Sequence, residues 1–251
     1  MAHAYIALDD GHGMSTAGKR TPYIASLKRT IKENEFNRAV VYYLDKELRH
    51  NGFKTLLVAP GDKDHSLKSR TDLANKKKVD AYIACHYNAY DSSFKGANPS
   101  GVETYVHPDA PGSTVKLAKC IHGEVIRGTK QKDRGVKKAD FHVLRETKMH
   151  AVLVECGFMD NEREALLMLD KGFQKETAID ICKGICEFYG VKYKSEEKPK
   201  PKPKPEPKPE KKDGKLYAVQ AGAFEEKNNA EERLEKLKDA GVEAFIYTKK
   251  K

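Results

Sequence analysis

Hydrophobic positions along residues 1–190 switch repeatedly between short continuous runs and a three-to-four-residue spacing. Short runs bounded by polar or glycine residues predict strands at Tyr5–Leu8, Phe53–Ala59, Asp80–Cys85, Gly101–His107 and His150–Val154. The last is almost wholly apolar, as a central parallel strand should be. Spaced apolar positions predict helices between them. Phe36, Val40, Tyr43, Leu44 and Leu48 mark a helix from Glu33 to about His50, stopped at Gly52. Leu67, Leu73 and Ala74 mark the inward side of a helix over Ser66–Lys77. Further helices are expected at Thr114–Arg127, Asn161–Leu169 and Phe173–Tyr189. Strand alternating with helix is the signature of an α/β fold: a mostly parallel central sheet with helices on both faces.

The pattern stops at residue 194. Residues 194–213 alternate proline with lysine or glutamate and hold six of the eleven prolines. Such a segment cannot bury a core and is expected to be an extended polyproline II spacer, at about 3.1 Å per residue. After it, a strand at Leu216–Gln220, a helix at Asn228–Ala240 with Ala230, Leu234 and Leu237 inward, and a strand at Ala244–Thr248 form a small α+β module. The expected organisation is therefore a domain at 1–193, a linker at 194–213 and a module at 214–251. The module is too short to be comfortably stable alone, so it would pair with a second copy, as in a homodimer, or dock on a partner.

The linker explains why hydrophobic residues reach only 39% while charged ones reach 33%. The net charge of +10 is spread along the chain, about six of it on residues 1–193. A basic surface suits a polyanion, but no zinc-finger spacing, RNA-recognition signature or continuous basic helix is present, so nucleic acid is not the expected partner. Cys85, Cys120, Cys156, Cys182 and Cys186 are odd in number and without framework spacing, which predicts free thiols. The N-terminus lacks the basic start and apolar core of a signal peptide, and no apolar run approaches the ~18 residues a membrane span needs. The expected setting is synthesis in the cytoplasm, without membrane insertion, followed by release.

Four residues carry candidate chemistry. His12 lies in the loop Asp9-Asp10-Gly11-His12-Gly13, Glu33 heads a helix, and His86 and Glu155 follow predicted strands. In open α/β sheets, sites gather at the carboxyl ends of strands. Two histidines and a carboxylate can hold a zinc ion, leaving a fourth position for water, and a second carboxylate can serve as base. Read singly, each residue also has a plain structural role: a Gly-His-Gly turn is commonly only a turn. Glu155 is harder to dismiss, because burying a carboxylate after Ala-Val-Leu-Val calls for a positive partner.

Read in order, four segments resemble the zinc-dependent N-acetylmuramoyl-L-alanine amidases of the type 3 group. They are Leu8-Asp9-Asp10-Gly11-His12-Gly13, Lys32-Glu33-Asn34-Glu35-Phe36-Asn37, Ala84-Cys85-His86-Tyr87-Asn88-Ala89, and Val152-Leu153-Val154-Glu155-Cys156-Gly157-Phe158-Met159-Asp160-Asn161. Leu67-Lys68-Ser69-Arg70 with Ala74-Asn75 resembles a helix of that family, and Arg134-Gly135-Val136-Lys137 with Val143-Leu144-Arg145 its late loop and strand. The resemblance covers about residues 4–190. It implies Zn2+ bound by His12, Glu33 and His86, a catalytic Glu155, and substrate binding by Asn88 and Arg134. It also selects Glu33 over Glu35, whose alternative role is a first-turn carboxylate favoured by the helix dipole. Cys85 departs from the family's usual Ser or Asp.

The segments Leu216–Phe224, Asn229–Glu231 and Leu237–Phe245 resemble one repeat of a SPOR peptidoglycan-binding domain, which normally holds two. The activity implied is hydrolysis of the amide between N-acetylmuramic acid and L-alanine, in a phage endolysin or a mother-cell autolysin. The alternatives are a non-catalytic wall-binding protein and a zinc carboxypeptidase acting on the stem peptide.

Overall fold

The structure, a computed structural model, describes residues 2–96, 98–195, 222–239, 242 and 244–248. The chain divides into two compact units, Met1–Glu197 and Lys198–Lys251.

The first unit contains a six-stranded sheet in the order β2-β1-β3-β6-β4-β5. Its strands are β1 Tyr5–Asp9, β2 Lys54–Leu57, β3 Ala81–Asn88, β4 Val102–Val106, β5 Asp133–Lys138 and β6 His150–Phe158. All neighbouring pairs are parallel except β4 with β6. The connecting helices are α1 Glu33–His50, α2 Leu67–Lys77, α3 Gly112–Thr129, α4 His142–Arg145, α5 Glu162–Leu167 and α6 Lys171–Phe188.

The period-two alternation of the strands sorts side chains between two unequal cores. Ile6, Leu8, Ile83, Cys85, Val152 and Val154 face the larger core, with Phe36, Val40, Leu44, Leu117, Ile121 and Ile181 from α1, α3 and α6. Ala7, Tyr82, Ala84 and Leu153 face the smaller one, covered by Ala74 of α2 and by Val143 and Leu144 of α4. By the same alternation, His86 and Glu155 fall on the thinly covered face, beyond the point where its apolar core ends.

Several boundaries differ from expectation in ways that matter for the site. The strands predicted to end at Cys85 and Val154 run on to Asn88 and Phe158, so His86 and Glu155 lie within strands rather than after them. They are direct ladder partners, and the register shifts between His86 and Asn88 as β6 accommodates an extra residue. Residues 134–137, matched to a loop, form most of β5, and the expected late strand at 143–145 belongs to the short helix α4. Leu67, expected inward, is the exposed first residue of α2, where Ser66 caps the helix by accepting from the Ser69 N–H at 3.2 Å.

All five cysteines are buried free thiols. No helix among the described residues is long and apolar enough to cross a membrane. Chain ordering continues past Tyr193: its hydroxyl donates to Glu47 at 2.9 Å, and the Lys194 N–H donates to Asn51 at 2.6 Å. In the second unit, α7 spans Lys227–Asp239, with Ala230, Leu234 and Leu237 as its half-buried positions. Residues 244–248 carry no strand. The rest of the linker beyond residue 195 and the strand expected at Leu216–Gln220 lie outside the described residues.

Candidate active site

The site is built at the carboxyl ends of β1, β3 and β6. After β1 the chain turns sharply through Gly11 and His12, both at positive φ (43° and 47°). The strain at His12 is held by a neighbouring side chain. The Asn34 amide donates to the carbonyls of Asp10, Gly11 and His12 at 3.2, 3.1 and 2.9 Å. Beneath the turn, buried Asp9 accepts from Arg70 at 2.8 Å, the Tyr82 hydroxyl at 2.5 Å and the Gly11 N–H at 3.0 Å. Arg70 is only 1% exposed. It therefore anchors the loop from inside the fold.

Glu33 is the first residue of α1. Its N–H donates to the Lys19 carbonyl at 3.0 Å, across a long excursion pinned at its neck by the bridge between Arg20 and Lys32. Its carboxylate accepts from the Tyr87 N–H at 3.1 Å and the Asn37 amide at 3.2 Å, and lies 2.9 Å from His86 Nδ1. The other oxygen is 3.4 Å from His12 Nε2 and 3.9 Å from Lys19 Nζ. Glu35 points elsewhere: it accepts from the Lys32 N–H at 2.8 Å and from both terminal nitrogens of Arg29 at 2.8 and 2.9 Å.

One donor atom from each of His12, Glu33 and His86 can be chosen so that all lie within 4.8 Å of one another. Two histidines and a carboxylate are the donor set of a catalytic zinc centre. The chemistry of the carboxylates bears on whether a cation fits here. Glu33 Oε2 and Glu155 Oε2 are both buried without a hydrogen-bond partner, a costly arrangement for carboxylates unless a positive charge stands nearby. These residues fit a divalent metal.

The titration behaviour of the bare protein follows the same geometry. Burial alone would raise the Glu33 carboxyl, but the hydrogen bond with His86 and the charges of His86, His12 and Lys19 outweigh it and hold the group at about 2. Burial drives His12 down to about 4, the neutral state a ligand requires. Burial, reinforced by the negative charge of Glu33, pushes Glu155 up to about 8, despite the opposing charge of His86.

Asn88 and Arg134 lie together in a neighbouring cleft rather than among the four core residues. The Asn88 amide and the Arg134 Nε both bond to Glu103, at 3.1 and 2.5 Å. Glu103 is the direct partner of Glu155 across β4 and β6. Sequence reasoning missed it, along with Asn34, Lys19 and the Asp9–Arg70 pair. A glutamate alternating with Val102 and Thr104 reads as the solvent side of an ordinary strand, yet Glu103 is 2% exposed.

Residues 6–187 match the family described as N-acetylmuramoyl-L-alanine amidase. The chain belongs to this family. Residues 200–251 of the amidase match the SPOR domain. It is 30% identical to the sporulation-specific N-acetylmuramoyl-L-alanine amidase of Bacillus subtilis, over 97% of this chain and 84% of that one. It is 32% identical to the endolysin of Bacillus phage SPP1, over 76% of this chain and 68% of the phage protein. Its fold matches the catalytic domain of the amidase CwlV from Bacillus (Paenibacillus) polymyxa var. colistinus with a TM-score of 0.65. That likeness has 30% identity and covers 75% of this chain and 99% of the other.

Proposed function

We propose that the amidase cleaves the amide between the lactyl group of N-acetylmuramic acid and the L-alanine of the stem peptide through a zinc centre held by His12, Glu33 and His86, with Glu155 as its proton carrier. The observation that carries this reading is the convergence of His12, Glu33 and His86 donor atoms, with buried carboxylate oxygens on Glu33 and Glu155 that accept no hydrogen bond. When bound, the metal supplies Lewis acidity toward water and the substrate carbonyl. Glu33 stays anionic throughout, because the donors around it oppose protonation. His12 and His86 are fixed by the Gly11 turn and by Glu33.

Glu155 takes the proton of the attacking water and returns it to the leaving nitrogen. Its upward-shifted carboxyl suits that exchange, since a group titrating at about 8 can both take and give a proton near neutral pH. Asn88 and Arg134 bind the substrate beside it. The C-terminal unit holds the enzyme on the wall, and the pairing of two chains through it belongs to the same proposal, readable by sedimentation.

The deciding assay is release of new amino termini from purified cell walls, with and without a chelator. The proposal expects free L-alanine amino termini, with intact stem peptides and unbroken glycan by mass spectrometry, and chelation should abolish their release. Shortened stem peptides would identify a carboxypeptidase instead, and unchanged release under chelation would remove the metal from the mechanism.

A further inference from the structure

Beside the four core residues, a cleft of about 400 Å3 is lined by Asn88, Tyr90, Pro99, Glu103, Arg134 and Phe158. Its floor is Glu103, whose carboxylate is fully engaged. One oxygen accepts from Arg134 Nε and Lys137 Nζ, each at 2.5 Å. The other accepts from the Asn88 amide at 3.1 Å and the Tyr105 hydroxyl at 2.5 Å. A carboxylate with both oxygens so occupied is a fixed anion that aims its neighbours.

Two cations, Arg134 and Lys137, pair with this single anion. Arg134 spends only its Nε on Glu103, and its two terminal nitrogens have no protein acceptor among the described residues. The guanidinium is also held 5.0 Å over the Phe158 ring and remains about a quarter exposed, at 26%. A planar fork locked at one edge and open at the other is built for bidentate capture of a carboxylate.

We propose that this cleft is a carboxylate subsite, which takes the free α-carboxylate of the γ-linked D-glutamate at the second position of the stem peptide. The assignment rests on the function proposed above. It follows from the substrate's own chemistry: near the scissile amide the amino sugars are neutral, whereas the peptide limb carries carboxylates. The placement agrees. Arg134 reaches back over β4, one strand spacing of about 5 Å from the strand that carries Glu155. One to two extended residues, at about 3.5 Å each, cover that reach.

The test compares two defined substrates, N-acetylmuramoyl-L-Ala-D-isoGlu-L-Lys and the same molecule with D-isoglutamine, with the full-length zinc-loaded enzyme. The wild type should favour the carboxylate by about tenfold or more in kcat/KM, the range of a hydrogen bond to a charged group. In Arg134→Gln the ratio should collapse toward one, and Arg134→Lys should keep part of it. Inhibition by the free tripeptides, acid against amide, should show the same wild-type preference without any chemical step. A wild-type ratio near one overturns the subsite whatever happens to the variants, and so does a ratio that survives in Arg134→Gln. If neither substrate yields a free L-alanine amino terminus, the function itself is wrong and the subsite falls with it.

Discussion

Replacing Gly11 by alanine should disable the metal centre without touching a ligand, and Gly18→Ala provides the control. Both glycines have positive φ, 43° and 73°. A Cβ at Gly18 meets nothing within 4 Å, so that substitution carries only the conformational cost of an L-residue in this region, about 1–2 kcal/mol. At about 2–4 °C per kcal/mol for a unit of this size, its melting point should fall by about 2–8 °C. A Cβ at Gly11 would stand 2.4 Å from His86 Cε1, 2.7 Å from Nε2 and 2.9 Å from Nδ1. That is about 1 Å short of ordinary contact. The ring cannot simply slide away, because its Nδ1 lies 2.9 Å from Glu33 and its edge packs on His12 with centroids 5.0 Å apart. Gly11→Ala should therefore displace His86 and weaken zinc binding by at least the ~10–100-fold that loss of a ligand's support costs. Competition with a graded series of chelators reads the affinity, and calorimetry reads the melting point. Wild-type zinc affinity in Gly11→Ala, with a melting shift matching Gly18→Ala, would refute this packing argument.

Three further outcomes are expected. Glu155→Gln should lower wall hydrolysis by about 10²–10⁴ while keeping the zinc content of the wild type; full activity would place the base elsewhere. Arg70→Met should strip Asp9 of its buried cation and cost about 3–5 kcal/mol, read as a lower urea midpoint; an unmoved midpoint would mean that Tyr82 and Gly11 suffice. In metal-free protein, the Glu155 carboxyl is raised from 4.5 to about 8, so the folded state holds a proton that the unfolded state has lost between those values. This contribution makes stability fall as pH rises through that window. Melting points of metal-free wild type minus Glu155→Gln should therefore drop from pH 5 to pH 8, and parallel profiles would contradict the assignment.

Much of this architecture is legible in the chain because apolar periodicity records burial. Phe36, Val40, Leu44 and Leu48 define α1, and all are fully buried. The same logic fails where burial and polarity part company. His86 and Glu155 read as strand ends because the apolar run stops, but the backbone ladder continues through both. The site's polarity, not the strand's limit, interrupts the pattern. Edge strand β5, Asp-Arg-Gly-Val-Lys-Lys, has one neighbour and little to bury, so it carries no strand signal. Arg70 resembles any surface-helix arginine until its partner Asp9, 61 residues away, is brought beneath it. The metal triad could be proposed from motifs, whereas Glu103 could not, since its role depends on which strand lies opposite Glu155.

The proposed division of labour between the two carboxylates is a consequence of where each stands in the fold. A hydrolytic site of this kind needs one carboxylate that is always charged and another that can exchange a proton near neutral pH. Opposed environments are how a protein separates such roles. Glu33 opens an 18-residue helix, where the helix dipole favours an anion, and it gathers Tyr87, Asn37 and His86 around one oxygen. Glu155 lies in an interior strand of the sheet with an unpartnered oxygen and the negative charge of Glu33 close by. The first is held at about 2 and the second pushed to about 8. Exchanging the two roles would demand a proton on the carboxylate that its donors and cations hold anionic and a permanent charge on the one that burial holds protonated. Glu103 shows the remaining option in the same sheet: opposite Glu155 but saturated by four donors, it is held below the ordinary carboxylate range, burial notwithstanding, by Lys137, Tyr105 and Arg134. Of Glu33, Glu103 and Glu155, only Glu155 is left free to move a proton.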